Sequence, residues 1–200
     1  MTVVYILIAV VVLLLAWFKI SLIWGKPWNI KLLYTRTFLH FALKGPELLT
    51  MLGILEKFGL HGHNSKLSDA SVENETKMYR WIKRDLALLR SYFRHRQSPG
   101  TLLSTDIMDW FLDDMTRAEK FRFHDYPLTQ MFGIQSELPN FMLTMHPLVS
   151  KLEGRNYIKR LNRFGVKFDQ VLEGLKVREE KGVLPPKFVI RRVLDEMTTF

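Results

Sequence analysis

The feature that most constrains this chain is its beginning. From Thr2 to Phe18 no side chain carries a charge, and Val3 to Phe18 is almost wholly aliphatic or aromatic. Lys19 interrupts the run, Ile20-Ser21-Leu22-Ile23-Trp24 resumes it, and Gly25-Lys26-Pro27 ends it. A helix of about 20 residues spans the hydrocarbon layer of a bilayer. Residues 1–25 are therefore predicted to form a transmembrane anchor, and residues 26–200 a helical domain outside the bilayer. Lys19 can reach the headgroups with its ammonium. Trp17, Trp24 and Trp28 suit the same interface, which favours amphipathic indoles. The competing reading is a cleaved signal peptide. No basic segment precedes the apolar run and no small-x-small site follows it, so a retained single-pass tether is favoured. Lys19, Lys26, Lys31 and Arg36 all follow the run, a bias that favours a cytoplasmic main domain.

Beyond the anchor the helical period recurs and alternating strand patterns are scarce. The expected fold class is all-α: an N-terminal transmembrane helix followed by an irregular multi-helix domain. Ile30, Leu33, Tyr34, Thr37, Phe38, Phe41 and Ala42 share one helical face. Gly45-Pro46 breaks that helix, and Pro46 starts a short one that stops at Gly53. Gly59 to Asp69 is polar and reads as a loop. Ser71 is placed to cap a helix whose stripe is Met78, Trp81, Ile82, Leu86, Leu89, Tyr92 and Phe93. After Ser98-Pro99-Gly100, Ser104 or Thr105 is expected to cap the next, with Ile107, Trp110, Phe111, Met115 and Ala118 apolar; the two suit an antiparallel hairpin. Arg122 to Pro147 shows no clean period and reads as ordered but irregular, with a short helix opening at Pro139. Helices resume near Glu153–Arg163 and Asp169–Lys181, the second stopped by Gly182. Pro185-Pro186 opens a last one.

The residue inventory excludes several chemistries. There are no cysteines, hence no disulfide, thiolate metal site or cysteine nucleophile. The formal charge of +9 is spread along the chain and accompanies no recognised nucleic-acid motif, so nucleic acid is not an expected partner. Among six histidines, His61-Gly62-His63 is the sole close pair; no third ligand stands at a helical spacing from it, and a solvated loop is the simpler reading. No H-E-x-x-H, G-x-S-x-G, P-loop or dinucleotide glycine pattern occurs. Asp106, Asp109, Asp113 and Asp114 read as a solvated helix face. Arg90, Arg94, His95 and Arg96 suit a helix C-terminus. Arg155, Lys159, Arg160 and Arg163 read as a wet face or a lipid-facing one.

Two stretches carry a resemblance. The first is Ala42-Leu43-Lys44-Gly45-Pro46-Glu47-Leu48-Leu49-Thr50-Met51-Leu52-Gly53-Ile54, followed by Leu67-Ser68-Asp69-Ala70-Ser71. The second runs from Tyr126-Pro127-Leu128-Thr129-Gln130-Met131-Phe132-Gly133-Ile134-Gln135 through Leu138-Pro139-Asn140-Phe141, His146-Pro147-Leu148 and Asn156-Tyr157-Ile158-Lys159-Arg160-Leu161 to Gly182-Val183-Leu184-Pro185-Pro186. Their order, over roughly residues 30–200, resembles the N-terminal part of the bacterial family called domain of unknown function 885. Its members look like mostly helical, zinc-dependent metallopeptidases of the gluzincin type, often exported and lipid-anchored. The resemblance implies a chain without the zinc-binding half. No catalytic residue and no metal ligand carries over, and zinc is expected only in a full-length member. It also implies an exported location, against the charge bias.

Two functions follow as expectations. One is the membrane-anchored, non-catalytic portion of a metallopeptidase-like protein, partnered by the bilayer and by a catalytic half. Tyr126, Gln130 and Gln135 would then line its cleft, or else buttress the helices. The other is a stand-alone membrane-tethered module that binds a partner protein.

Overall fold

The computed structural model describes residues 25–199. The expected anchor over 1–25, with Trp17, Lys19 and Trp24, lies outside the described residues except for Gly25. Among the described residues no helix is long and apolar enough to cross a membrane. They form α-helices and short 3-10 turns, with no strand among them. The α-helices are α1 (Ile30–Lys44), α2 (Pro46–Leu52), α3 (Val72–Arg90), α4 (Pro99–Ala118), α5 (Ile134–Thr144), α6 (Lys151–Leu161), α7 (Phe164–Glu180) and α8 (Lys187–Thr199). They divide into two compact units: one holds the described residues up to Phe41 with Trp81–Thr116, the other Ala42–Arg80 with Arg117 onward.

In the first unit, Ile30, Leu33, Ile82, Leu86, Leu89 and Leu112 are buried. A polar pin crosses this core. Arg36 Nη2 donates to Asp85 Oδ1 at 2.9 Å and Thr37 Oγ1 to Oδ2 at 2.8 Å, while Arg36 Nη1 reaches the Gly25 carbonyl at 2.7 Å. Trp81 stacks edge-on against Phe41 at 4.9 Å, and Phe41 against Phe111 at 5.9 Å. The α3–α4 hairpin is antiparallel as expected. Arg90 pairs with Asp109 and Asp113, each at 2.7 Å, and Arg94 with Asp106. Asp106, Asp109 and Asp113 are thus ion-paired rather than merely solvated, because the hairpin brings them opposite the arginines. Arg90 holds the Asp109 carboxyl below its ordinary value by hydrogen bonding.

Several expected details change. The helix α4 opens at Pro99, not after Ser104 or Thr105, because proline fits a first helical turn and Ser98 Oγ accepts from the Thr101 N–H. Thr105 is buried inside the helix. The stripe read on α4 does not form the core: Ile107, Trp110 and Phe111 are exposed, and Leu112 and Thr105 are buried instead. Phe38 and Phe93 are likewise exposed. Periodicity finds an amphipathic helix, but neighbours decide which turns are covered.

In the second unit, α2 runs as expected from Pro46 to a left-handed Gly53 at φ 59°, whose N–H closes on the Leu49 carbonyl. A side chain there would be strained. The irregular segment after Arg122 ends earlier than expected, because Gly133 and not Pro139 starts α5. The Ile134 N–H closes it on the Pro127 carbonyl at 3.1 Å. Phe123, Leu138, Met142, Val171, Val189 and Val193 supply the apolar core.

Candidate functional site

The segment read as a solvated loop is the polar heart of the second unit. Gly62–Ser65 forms a 3-10 turn that buries His63 and Asn64, with α2 and α6 packed against it. From α6 come Glu153, Asn156 and Arg160, on one face at i, i+3 and i+7, all buried. Leu152, Ile158 and Leu161 of the same helix are exposed. This helix turns its polar face inward, so Arg160 belongs to no wet face, although Arg155, Lys159 and Arg163 are exposed as expected.

Arg160, with no solvent exposure, is satisfied from four directions. Its Nε donates to the Lys66 carbonyl at 2.8 Å, Nη2 to the His63 carbonyl at 2.9 Å and to Thr50 Oγ1 at 3.0 Å, and Nη1 to His146 Nδ1 at 3.0 Å. Its guanidinium lies 5.1 Å from the Phe141 ring. Burial pushes its pKa down to about 10, opposed by Glu47, Glu153 and Glu56, so it stays charged at neutral pH. His146 Nδ1 accepts from Arg160, so its proton sits on Nε2, which faces the Glu153 carbonyl at 3.3 Å. Burial holds the pKa of His146 below its ordinary value, and the Arg160 charge pushes it the same way.

The two carboxylates each take a histidine. Glu153 Oε1 lies 2.5 Å from His61 Nδ1, and its Oε2 accepts from Asn64 Nδ2 at 3.2 Å. Glu56 Oε1 lies 2.9 Å from His63 Nε2 and 3.1 Å from Asn64 Nδ2. Burial would raise the Glu56 pKa, but its own backbone N–H, Asn64 and His63 prevail and lower it. Pairing each histidine with its own carboxylate does not make a metal site. Among the described residues no group of three or more histidines, aspartates or glutamates is placed to hold a metal ion. Glu153 escaped the sequence reading. Ser150-x-x-Glu153 has the form of a capping box, and Ser150 Oγ does accept from the Glu153 N–H, but the carboxylate turns to His61 instead of the cap.

A second polar clamp joins α2 to α7. Lys167 Nζ donates to the Ser68 carbonyl and hydroxyl, both at 2.7 Å, while Glu47 Oε1 accepts from the Ser68 N–H at 3.0 Å. Burial lowers the Lys167 pKa against the pull of Glu47 and Asp69.

The expected cleft residues separate. Tyr126 lines an open cleft of about 510 Å³ with Asp69, Glu75, Asp125, Glu137 and Arg178. Arg178 is already engaged, with Nε on the Asp125 carbonyl at 3.1 Å and Nη2 on its carboxylate. Burial raises the Glu75 pKa, countered by Arg122 and Arg178. Tyr126 also borders an apolar pocket of about 290 Å³ with Leu128, Leu175, Val193 and Met197. Gln135 is buried: its Nε2 donates to the Thr129 carbonyl at 2.7 Å and to Glu196 at 2.9 Å. Its Oε1 comes so near Gly133 that a Cβ there would stand 1.9 Å away, so a side chain at 133 would have to displace the glutamine amide. Gln130 is half-buried and lines neither cavity. Trp28 is exposed and lines a cleft of the first unit.

The described residues are all-helical, and buried polar side chains make long-range contacts among them, such as Arg160 with Thr50. The chain belongs to the family described as bacterial protein of unknown function (DUF885), whose model matches residues 46–200, from the start of α2 to the last residue. No curated protein and no solved structure matches it.

Proposed function

We propose that this chain is the membrane-tethered, non-catalytic helical portion of a zinc-metallopeptidase-like protein, and that its second unit supplies a wall of the substrate cleft. The observation that supports this is the use of His61, His63, Glu56 and Glu153. In the family-matched region these potential ligands are locked pairwise inside the framework. Catalytic ligands would then come from outside the chain. Tyr126 is the residue that fronts open space, beside four carboxylates that suit a peptide bearing lysine or arginine. Residues 1–25 act as a single-pass tether in this reading. The test is direct: the purified chain should bind no stoichiometric zinc and hydrolyse no peptide. One tightly held zinc per chain, with hydrolysis lost on chelation, would overturn the proposal.

A second reading, a module that binds a partner protein without any enzyme, draws on α8. There Phe188, Leu194 and Met197 are all half or more exposed. Capture of a zinc-binding polypeptide from the same cells favours the first reading; capture of a protein without a zinc motif favours the second.

A further inference from the structure

The first unit carries a cleft opposite in character to the acidic one. It measures about 420 Å³, within the range of small-ligand sites, and its walls include Lys26, Trp28, Tyr92, Phe93, Arg96 and Gln97. Among the described residues no carboxylate lines it. Lys26 Nζ donates to the Ser91 carbonyl at 2.9 Å and lies 4.6 Å over the Tyr92 ring. The Arg96 guanidinium lies 5.0 Å over the Phe93 ring, and among the described residues no carboxylate pairs with it. Gln97 adds an independent observation. Tyr34 Oη and Thr105 Oγ1 share a hydrogen bond of 2.6 Å, and Thr105 Oγ1 donates to Gln97 Oε1 at 2.5 Å. With Oε1 so engaged, Nε2 is a buried N–H donor without an acceptor. Such a donor, in a cleft lined by two cations, calls for an oxyanion.

Trp28 and Phe93 decide which oxyanion. They are 63% and 62% exposed at the cleft, amphipathic or apolar rings of the kind that settle at the boundary between headgroups and acyl chains. Lys26 stands two residues after Trp24, where the apolar N-terminal run interrupted by Lys19 ends. We propose that this cleft binds the phosphate of an anionic lipid headgroup, with Gln97 Nε2, Arg96 and Lys26 on the phosphate oxygens and Trp28 and Phe93 against the glycerol. The choice of a lipid over free phosphate rests on the tether reading; the anion site itself does not.

The full chain, held in a non-ionic detergent, is titrated calorimetrically with dihexanoyl-phosphatidylglycerol, dihexanoyl-phosphatidylcholine and inorganic phosphate. Phosphatidylglycerol should bind saturably, with Arg96→Gln and Gln97→Glu each weakening it roughly tenfold, the loss of a charge-assisted hydrogen bond. Q97E keeps an acceptor for Thr105, so its fold is retained, and circular dichroism checks this. Lys31→Gln, outside the cleft, should change nothing. Phosphatidylglycerol binding that is absent, or indifferent to both substitutions, overturns the site. Phosphatidylcholine bound as tightly overturns its charge selectivity. Inorganic phosphate bound as tightly, with the same sensitivity, overturns the lipid assignment in favour of a free anion. Flotation with neutral vesicles separates the two readings. A chain that binds phosphatidylglycerol but fails to float breaks the tether and keeps the site, whereas one that floats without binding breaks the site alone.

Discussion

The two units bury charge in opposite ways. The first has a largely aliphatic core crossed by a pin, Arg36 and Thr37 on Asp85. The second interleaves Arg160, Glu153, Asn64, Thr50 and His146 so that nearly every polar atom has a partner. An aliphatic core is tolerant because dispersion and water exclusion have no preferred direction. A polar core is demanding, since each group that loses its partner stays desolvated. The first unit should therefore absorb single polar substitutions better than the second, and the second should hold a more uniquely defined geometry around the Gly62–Ser65 turn.

The strongest challenge to this contrast is Arg160→Ala. It strands the carbonyls of Lys66 and His63 and the groups of Thr50 and His146. A loss of about 4 kcal/mol is expected, as for breaking a buried charged cluster. Arg160→Lys keeps the charge but lacks the planar fork, and should recover only part of it. Urea unfolding measures both. A cost below about 1 kcal/mol for R160A would mean that the network is incidental to the second unit. Asp85→Asn in the first unit should cost less, about 2 kcal/mol, because the amide still accepts from Thr37 while the Arg36 charge loses its carboxylate. If D85N proves the costlier of the two, the contrast is reversed.

His146 sharpens the comparison through pH. Its folded pKa lies below the ordinary 6.5, with burial the main cause and Arg160 adding to it. The unfolded chain therefore binds the proton more readily. The stability contributed by neutral His146 is fully present above about 6.5 and is lost as pH falls from there through the folded value. The groups facing the ring are Arg160, the Glu153 carbonyl and Tyr157, whose ring lies 5.2 Å away. His146→Gln should flatten the rise in stability between pH 5 and pH 7 seen in the parent chain. An unchanged slope would assign that rise to other histidines.

Helix existence followed from the sequence more readily than helix orientation. The break at Gly45-Pro46, the stop at Gly53, the Ser71 cap and the antiparallel hairpin all rest on local chemistry, which acts over a few residues and so can be read locally. Orientation fails where the expected rule, apolar side inward, is reversed. In α6 the buried positions are Glu153, Asn156 and Arg160, and nothing in that helix reveals partners 89 to 110 residues away. The same distance hid the site. His61 and His63 were visible as a pair, but Glu153 and Glu56, which occupy them singly, follow only from the tertiary fold. The acidic cleft at Tyr126 draws Asp69 and Glu75 from one end of the second unit's sequence and Arg178 from the other.

The smallest effect expected tests the first unit's outer face. Leu103, Ile107 and Trp110 recur at i, i+4 and i+7 on α4 and are each at least 60% exposed. An exposed side chain gains little from folding, so Trp110→Ser should change unfolding stability by no more than about 0.5 kcal/mol. A contiguous uncovered stripe does favour association between chains, because contact there removes apolar surface from water. W110S should therefore lower self-association in sedimentation at matched detergent concentration while leaving the unfolding midpoint in place. A large drop in stability with no change in association would show that Trp110 is packed within the chain. The first unit would then be as densely committed as the second, and the contrast between them would rest on chemistry alone.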